Sequence, residues 1–564
     1  MTPRAYAIPL LLAALSAPAA ALAQDPVDGG APQRIEQDSG SPGDGGVDLE
    51  DEAPLGEPIT AGPMTDEATR GERLFGATRW ADAALVLKRV VDGDTGDDLG
   101  NRQSAEYHLA IALYRLGFPH TSYTLFSEIA DEPTHPRYGE TLLWLAKLVA
   151  ELPEPADIVE RIGKYEKKHL ARFDNPQQRE LYWRLNYLLG RFEYRNGKHE
   201  AAIALFEKVP APSEHYLESQ FYLGISHVRR RGTVPAVNAF RRMILAVDRG
   251  DPKQARMGDL GAMSIARTYY SAAVQIGEVG GPTLDETKLS AAVHWWGQVD
   301  VAGEYWLDSL FEQSWAYFMI GDYSRAVGNL HTIEAPFFPD AFYPEAHILR
   351  AIVAFVNCRY PEAITTIARM RVKYQPIKRE LEATLARWKR ENDDAQYFQI
   401  LQDVRARRAP LAPIIRPVIE EALSDRQLLR HIEYVRALDE ERARLARAPA
   451  AFRGSALGEQ ALDGLDIARD LAVRSAGALV RERCDRALGD LHEHLIDSQK
   501  LLFDVTQAAS DARGATAKGS GRGAVTLKST IEPDRDHVLW PFDGEYWRDE
   551  LGSYRAIVIS ECTK

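Results

Sequence analysis

The sequence predicts an all-α fold: a solenoid of helical hairpins, followed by long helices and a small β-containing C-terminal segment. Three observations predict it. Small and large apolar residues recur at fixed spacing between residues 66 and 376, and turn residues recur at fixed offsets within that pattern. From residue 377 the chain then becomes rich in Arg, Glu, Leu and Ala, with few glycines.

In chain order, residues 1–23 carry Arg4, an apolar run from Ile8 to Leu15 and the small-residue ending Ala21-Leu22-Ala23. That reads as a secretory signal peptide, too short to span a bilayer. No later apolar stretch is long enough for an integral membrane span, so the expected mature chain is soluble. No cysteine stands near the cleavage point to carry a lipid anchor. Export with an Ala- and Arg-rich composition points to a Gram-negative periplasm, with secretion as the alternative.

Residues 24–65 read as a disordered acidic linker. Ten acids against Arg34 lie between residues 25 and 58, a net −9 of the chain's formal net charge of −14. The remainder is mildly acidic, and this excludes nucleic acid as a partner because phosphate binding needs a basic face.

Over residues 66–376 a small residue, a second small residue twelve later and a large apolar one sixteen later recur six times in order. The sets are Gly71, Ala83, Leu87; Ala110, Ser122, Phe126; Gly190, Ala202, Phe206; Gly224, Ala236, Phe240; Ser314, Ala326, Leu330; and Ala351, Ala363, Ile367. Small residues let two antiparallel helices approach, and the large one fills the groove toward the next hairpin. Gly197 and Gly321 stand five residues before the second small residue, while Trp80, Tyr323 and Tyr360 stand three before it. Proline at Pro376 is expected to stop the last hairpin.

These residues resemble the tetratricopeptide repeat family, whose units are helix-turn-helix hairpins of about 34 residues. The resemblance implies a right-handed solenoid that works as a non-enzymatic scaffold and binds a protein or peptide segment in its concave groove. The unit at Ala146 departs from it, with Ile158 at the twelve-later position. The unit at Ala266 carries an insertion through Gly280, Gly281 and Pro282 before Ala292 and Trp296. Family geometry aims Arg184, Tyr187, Arg191 and Tyr194 into the groove in one unit, Arg267 and Tyr270 in the next, and Asp308, Phe311, Trp315 and Phe318 further on. Arginine with tyrosine suits carboxylates and peptide backbones, and exposed Phe and Trp mark a partner surface unless the chain's own segments cover it.

Residues 377–512 read as long helices. Pro410, Pro413, Pro417 and Pro449 divide them, and Cys484, Leu488, Leu491, Leu495, Ser498, Leu502 and Val505 form a coiled-coil-like seam. The seam is short, which favours packing on the chain's own helices over a dimer. Residues 513–523 read as a flexible linker. In the aromatic segment 524–564, residues 524–530 and 554–560 are β-prone, and Trp540, Phe542, Tyr546 and Trp547 are expected to dock on the helical body. This aromatic ending after a repeat array resembles that of certain myxobacterial envelope proteins of the gliding-motility type. The resemblance implies a part in a cell-envelope or motility machine.

Three cysteines allow one disulfide and one leftover thiol; Cys484 with Cys562 would staple the C-terminus to a helix, and three free thiols are the alternative. Catalytic signals are poor. HExxH, CxxC, GxSxG and the GxxxxGK[ST] phosphate loop are all missing, so no cofactor, metal or enzymatic activity is expected. His492 and His494 stand two apart and point to different helix faces. Asp536, His537, Asp543, Glu545, Asp549 and Glu550 cluster beside aromatics. Such a cluster leaves a competing expectation of peptidoglycan binding or turnover, although about forty residues are few for a hydrolase cleft.

Overall fold

The computed structural model describes residues 61–153, 157–276, 282–389, 393–518 and 538–562. The signal peptide, residues 24–60 of the acidic linker, the 524–530 β-prone stretch, Asp536 and His537 lie outside them.

Successive helical hairpins build the first two thirds of the chain. They run α1 (Asp66–Gly76), α2 (Trp80–Asp92), α3 (Leu99–Arg115), α4 (Pro119–Ala130), α5 (Tyr138–Leu148), α6 (Ile158–Ile162), α7 (Lys167–Ala171), α8 (Arg179–Arg195), α9 (His199–Phe206), α10 (Tyr216–Arg229) and α11 (Thr233–Ala246). They continue as α12 (Pro252–Ala273), α13 (Glu286–Trp296), α14 (Trp306–Ile320), α15 (Tyr323–Ile333), α16 (Pro344–Val356) and α17 (Tyr360–Lys389). Apart from the short α7, each helix packs on the next in sequence or the next but one, so this is an all-α helical-repeat solenoid.

The recurring small and large residues are its mechanical parts. All eighteen are buried. A β-carbon on Gly190 would lie 2.6 Å from Phe206 Cε1, and one on Gly224 would lie 2.3 Å from Phe240 Cε1. The large side chain of the second helix therefore rests directly on the backbone of the first, and full burial of such a ring contributes about 1.5–3 kcal/mol. At Ser122 the contact between the two helices gains a hydrogen bond, from its Oγ to the Ala110 carbonyl at 2.8 Å.

The turn inside each hairpin shares one backbone state. Five residues before the second small residue stand Thr78, Gly117, Gly197, Arg231, Gly321 and Cys358, all with φ between 55° and 90°. Only glycine takes that left-handed region without a β-carbon clash, so the other three positions carry local strain. The geometry repeats although the residue type does not.

The Ala146 unit keeps its hairpin, with Ala146 and Ile158 both buried, but its second helix breaks into the five-residue α6 and α7. The insertion in the Ala266 unit carries β1 (Val274–Ile276) and β2 (Pro282–Leu284). They pair antiparallel with Val274 opposite Leu284 and are the sole sheet among the described residues.

Three expectations fail here. Pro376 lies inside α17 instead of ending it. The carbonyl that loses its donor is that of Val372, whose side chain is exposed, while buried Met370, Tyr374, Leu381 and Leu385 hold both halves of the helix against the body. No linker begins at Arg513, because the last helix runs on to Lys518 through residues mostly of good helix propensity. Residues 554–560 form no strand; Ala556 N–H donates to Ser324 O of a helix end, so no ladder can start.

Beyond the solenoid come α18 (Asp394–Arg405), α19 (Arg416–Ala422), α20 (Arg426–Ala446), α21 (Ala450–Arg453) and the 63-residue α22 (Ala456–Lys518). The seam on α22 faces this chain's own helices: Cys484 packs in the core shared by the early repeats and the C-terminal helices, and Leu491, Leu501 and Val505 pack in the core of the later repeats. One helix thus ties two hydrophobic cores together. It reaches α4 as well as α16, α17, α18 and α20.

Glu441 of α20 completes the closure. Its carboxylate accepts from His120 N at 2.7 Å, Thr121 N at 3.0 Å and Thr121 Oγ1 at 2.7 Å, which satisfies the open amides at the start of α4. Phe118 stacks on Phe452, with ring centroids 5.7 Å apart. The C-terminal helices thus fold back onto the second repeat.

Candidate interaction surfaces

The residues aimed at the groove by family geometry are largely consumed by the fold. On α8, Tyr187 is buried, stacked on His215 at 4.6 Å, with the buried Arg191 guanidinium 5.6 Å from its ring centre. Arg184 binds the carboxylate of Glu214 and reaches His215 Nε2 at 3.3 Å. Burial pushes the His215 imidazole down to about 4 despite Glu214 beside it, so it is neutral near pH 7. Tyr194 is half-buried, its ring 5.5 Å from those of His199 and Tyr222.

Further on, Arg267 of α12 meets Glu312 of α14 at 2.6 Å, and the same carboxylate accepts from Trp296 Nε1 at 3.0 Å. Each side chain of the ion pair retains only about a tenth of its exposure, 12% and 11%. Tyr270 is fully buried with its hydroxyl 3.2 Å from Met319 Sδ. Asp308 accepts from the Tyr343 hydroxyl at 2.6 Å, and burial pushes its carboxyl up to about 6.

The exposed apolar patch expected at Phe311, Trp315 and Phe318 is a correction. Trp315 and Phe318 are buried and meet edge to face at 6.0 Å, Phe318 also faces Tyr323, and half-buried Phe311 faces Tyr343 of the next unit. Aromatics of the same unit cover Trp315 and Phe318, and that of the next unit covers Phe311. The C-terminal helices come near enough that the Glu421 charge of α19 acts on Asp308 and Tyr343 and the Arg426 charge of α20 acts on Tyr305. Glu312 and Tyr343 carried no signal in the sequence, because their partners stand 45 and 35 residues away.

The disulfide is a second correction. Cys562 joins Cys358, and Cys484 is a free, buried thiol in the α22 seam, pushed up to about 12 by burial. Cys484 packs in the core with the C-terminal helices, whereas the C-terminal segment runs along α15 to Asn357 at the end of α16.

There the segment is fastened at several points. Gly552 N–H donates to Thr332 Oγ1 at 3.0 Å, Ala556 N–H to Ser324 O at 3.0 Å and Glu561 N–H to Asn357 O at 2.9 Å. His331 of α15 lies stacked on Tyr546 at 4.5 Å and edge-on to Phe542 and Tyr554. Of the four aromatics expected to dock, Tyr546 does so, and Phe542 meets His331 edge-on while staying 55% exposed. Trp540 and Trp547 instead pair with each other at 5.1 Å and remain 56% and 41% exposed.

Among the described residues, the nearby acids Glu545 and Glu550 are tied up in local hydrogen bonds. Glu545 accepts from the Trp540 indole N–H and from Asp543 N, and Glu550 accepts from Ser553 Oγ at 2.9 Å. Among the described residues no group of three His, Cys, Asp or Glu side chains could hold a metal ion, and no helix is long and apolar enough to cross a membrane.

These features define a helical-repeat solenoid closed on itself by its own C-terminal helices. No family model matches the chain, and no curated protein matches it. Among solved structures, a Rap protein complexed with competence and sporulation factor is similar at 13% identity and a TM-score of 0.23, covering 72% of this chain and 98% of that one. A circular tandem repeat protein with novel repeat topology is similar at 13% identity and a TM-score of 0.12, covering 79% of this chain and 90% of that one. At such scores neither structure carries an argument about this chain.

Proposed function

We propose that this chain is an exported, non-enzymatic helical-repeat adaptor that binds another polypeptide of a bacterial envelope, in the periplasm and as part of a larger envelope or motility assembly. One observation carries the reading: the fastened C-terminal segment displays five large apolar side chains to solvent within ten residues, Val538, Leu539, Trp540, Phe542 and Trp547. Clusters of this kind on a folded surface mark contact sites. The Cys358–Cys562 disulfide supports an oxidising compartment. The binding surface moves, in this reading, from the groove to the C-terminal segment, with Arg184, Tyr194, Arg267, Asp308 and Phe311 remaining part-exposed in the groove.

Site-specific photocrosslinking in the native envelope tests the reading, with the crosslinker at position 540 and, separately, at 194. Recovery of an envelope polypeptide from position 540 is expected. Recovery of cytosolic proteins only, or of none, would overturn it.

A further inference from the structure

Resting on that reading, we infer that the face bearing Trp540 and Trp547 takes an apolar polypeptide segment that carries arginine or lysine side chains. The first argument is charge. Asp543, Glu545, Asp549 and Glu550 stand in the same stretch as the exposed apolar side chains, Glu545 directly on the Trp540 indole, and Arg548 is the sole base among residues 538–550, so a cation is attracted and an anionic lipid headgroup is repelled. Indole rings add a cation-π site for the same groups.

The second argument is the shape of the aromatic pair. The Trp540 and Trp547 planes stand at 64° to each other. A sugar ring stacks on an open, flat indole face and needs convergent hydrogen-bonding groups around it. Here the Trp540 N–H is already given to Glu545, and the neighbours toward the N-terminal side are exposed Val538 and Leu539. Aliphatic side chains of a polypeptide fit these neighbours, and its cationic groups fit the acids.

The third argument is rigidity. Tyr554 Oη accepts from Trp547 N at 2.8 Å and donates to Trp547 O at 3.1 Å, while Tyr546 and Phe542 grip His331. Downstream, the disulfide locks the segment to the start of α17. A surface already held in place loses little conformational entropy on binding.

The test titrates the full mature chain with a fluorescent amphipathic Leu/Arg peptide, a Leu/Glu peptide of the same length, soluble peptidoglycan fragments and phosphatidylglycerol vesicles. The Leu/Arg peptide is expected to bind, to weaken with salt, and to weaken by about tenfold or more in Trp540→Ala/Trp547→Ala. Asp549→Lys/Glu550→Lys, which leaves the rings in place, should weaken it as well. Intact disulfide and unchanged amide exchange at Gly552 verify that the variants are folded. Equal binding of the two peptides, binding indifferent to the tryptophans, or preference for peptidoglycan fragments or vesicles would each overturn the inference. Crosslinking of an envelope protein at position 540 without Leu/Arg binding would leave the adaptor function standing and remove this partner chemistry.

Discussion

The carbonyl oxygen of Tyr554 lies so close over Gly328 that a β-carbon on that glycine would sit 1.8 Å from it. Gly328 is inside α15, where Gly→Ala ordinarily adds about 1 kcal/mol to a helix. Here Gly328→Ala should lift the C-terminal segment instead. Hydrogen exchange at Gly552, Ala556 and Glu561 is expected to accelerate, with α15 itself unchanged. Unaltered exchange would mean that the segment is not seated on Gly328.

Cys358→Ser should loosen the same segment from its other end. A cross-link closing so long a loop, with a sequence separation of 204 residues, contributes about 2–4 kcal/mol in typical cases. Limited proteolysis of the variant should release the segment well before the helical body is cut. Peptide mapping of the wild-type chain without reductant should join the Cys358 and Cys562 peptides and leave Cys484 free.

His331 makes that docking pH-dependent. Burial, and then the Arg350 charge, hold its imidazole below the usual histidine range, with Glu334 opposing. A depressed value means the docked state prefers the neutral ring, so the contribution is fully present above the undocked value of about 6.5 and is lost as pH falls through the docked value. Exchange at Gly552 should be slow at neutral pH and accelerate on acidification, and His331→Phe should remove that dependence. A variant with an unchanged pH profile would assign the effect elsewhere.

The Arg267–Glu312 pair offers a test of the solenoid interior. Arg267→Ala leaves a buried carboxylate that keeps the Trp296 indole N–H as a donor but loses its cation, and should cost about 3–5 kcal/mol, whereas Arg267→Met with Glu312→Leu should cost far less. Denaturant unfolding of the three chains measures the difference. Equal losses in the single and double variants would show that volume, not charge, dominates there.

At Thr78 a β-branched residue holds φ at 57°, the turn state that glycine fills in three other units. Thr78→Gly should therefore stabilise the first hairpin, by about 1 kcal/mol once the greater flexibility of unfolded glycine is set against the relieved strain. A shift of the thermal transition upward would agree; a loss would show that the Thr78 side chain makes up the strain through its contacts.

The repeat fold was legible because its determinants are local. Gly190 with Phe206 and Gly224 with Phe240 are pairs sixteen residues apart, and a helical hairpin must bring such pairs together whatever follows. Sequence also announced that the region after residue 377 would be helical. The interaction surface was far less legible. Tyr187, Trp315 and Phe318 were placed by family geometry, which assumes an open groove, whereas Tyr187 packs on His215 of the next unit, Trp315 and Phe318 pack on each other, and Phe318 packs on Tyr323.

What the sequence by itself determined was the periodic part: hairpins, their packing residues and the position of each turn, since these follow from spacings shorter than one repeat. It also narrowed the chemistry, through the missing catalytic motifs. Only the tertiary structure decided which cysteine Cys562 meets, that Pro376 sits within a continuous helix, and which aromatics face water. Those outcomes depend on where α18–α22 and the final segment return along the solenoid. Return paths are chosen by burial of surfaces hundreds of residues apart, for which no local spacing carries a signal.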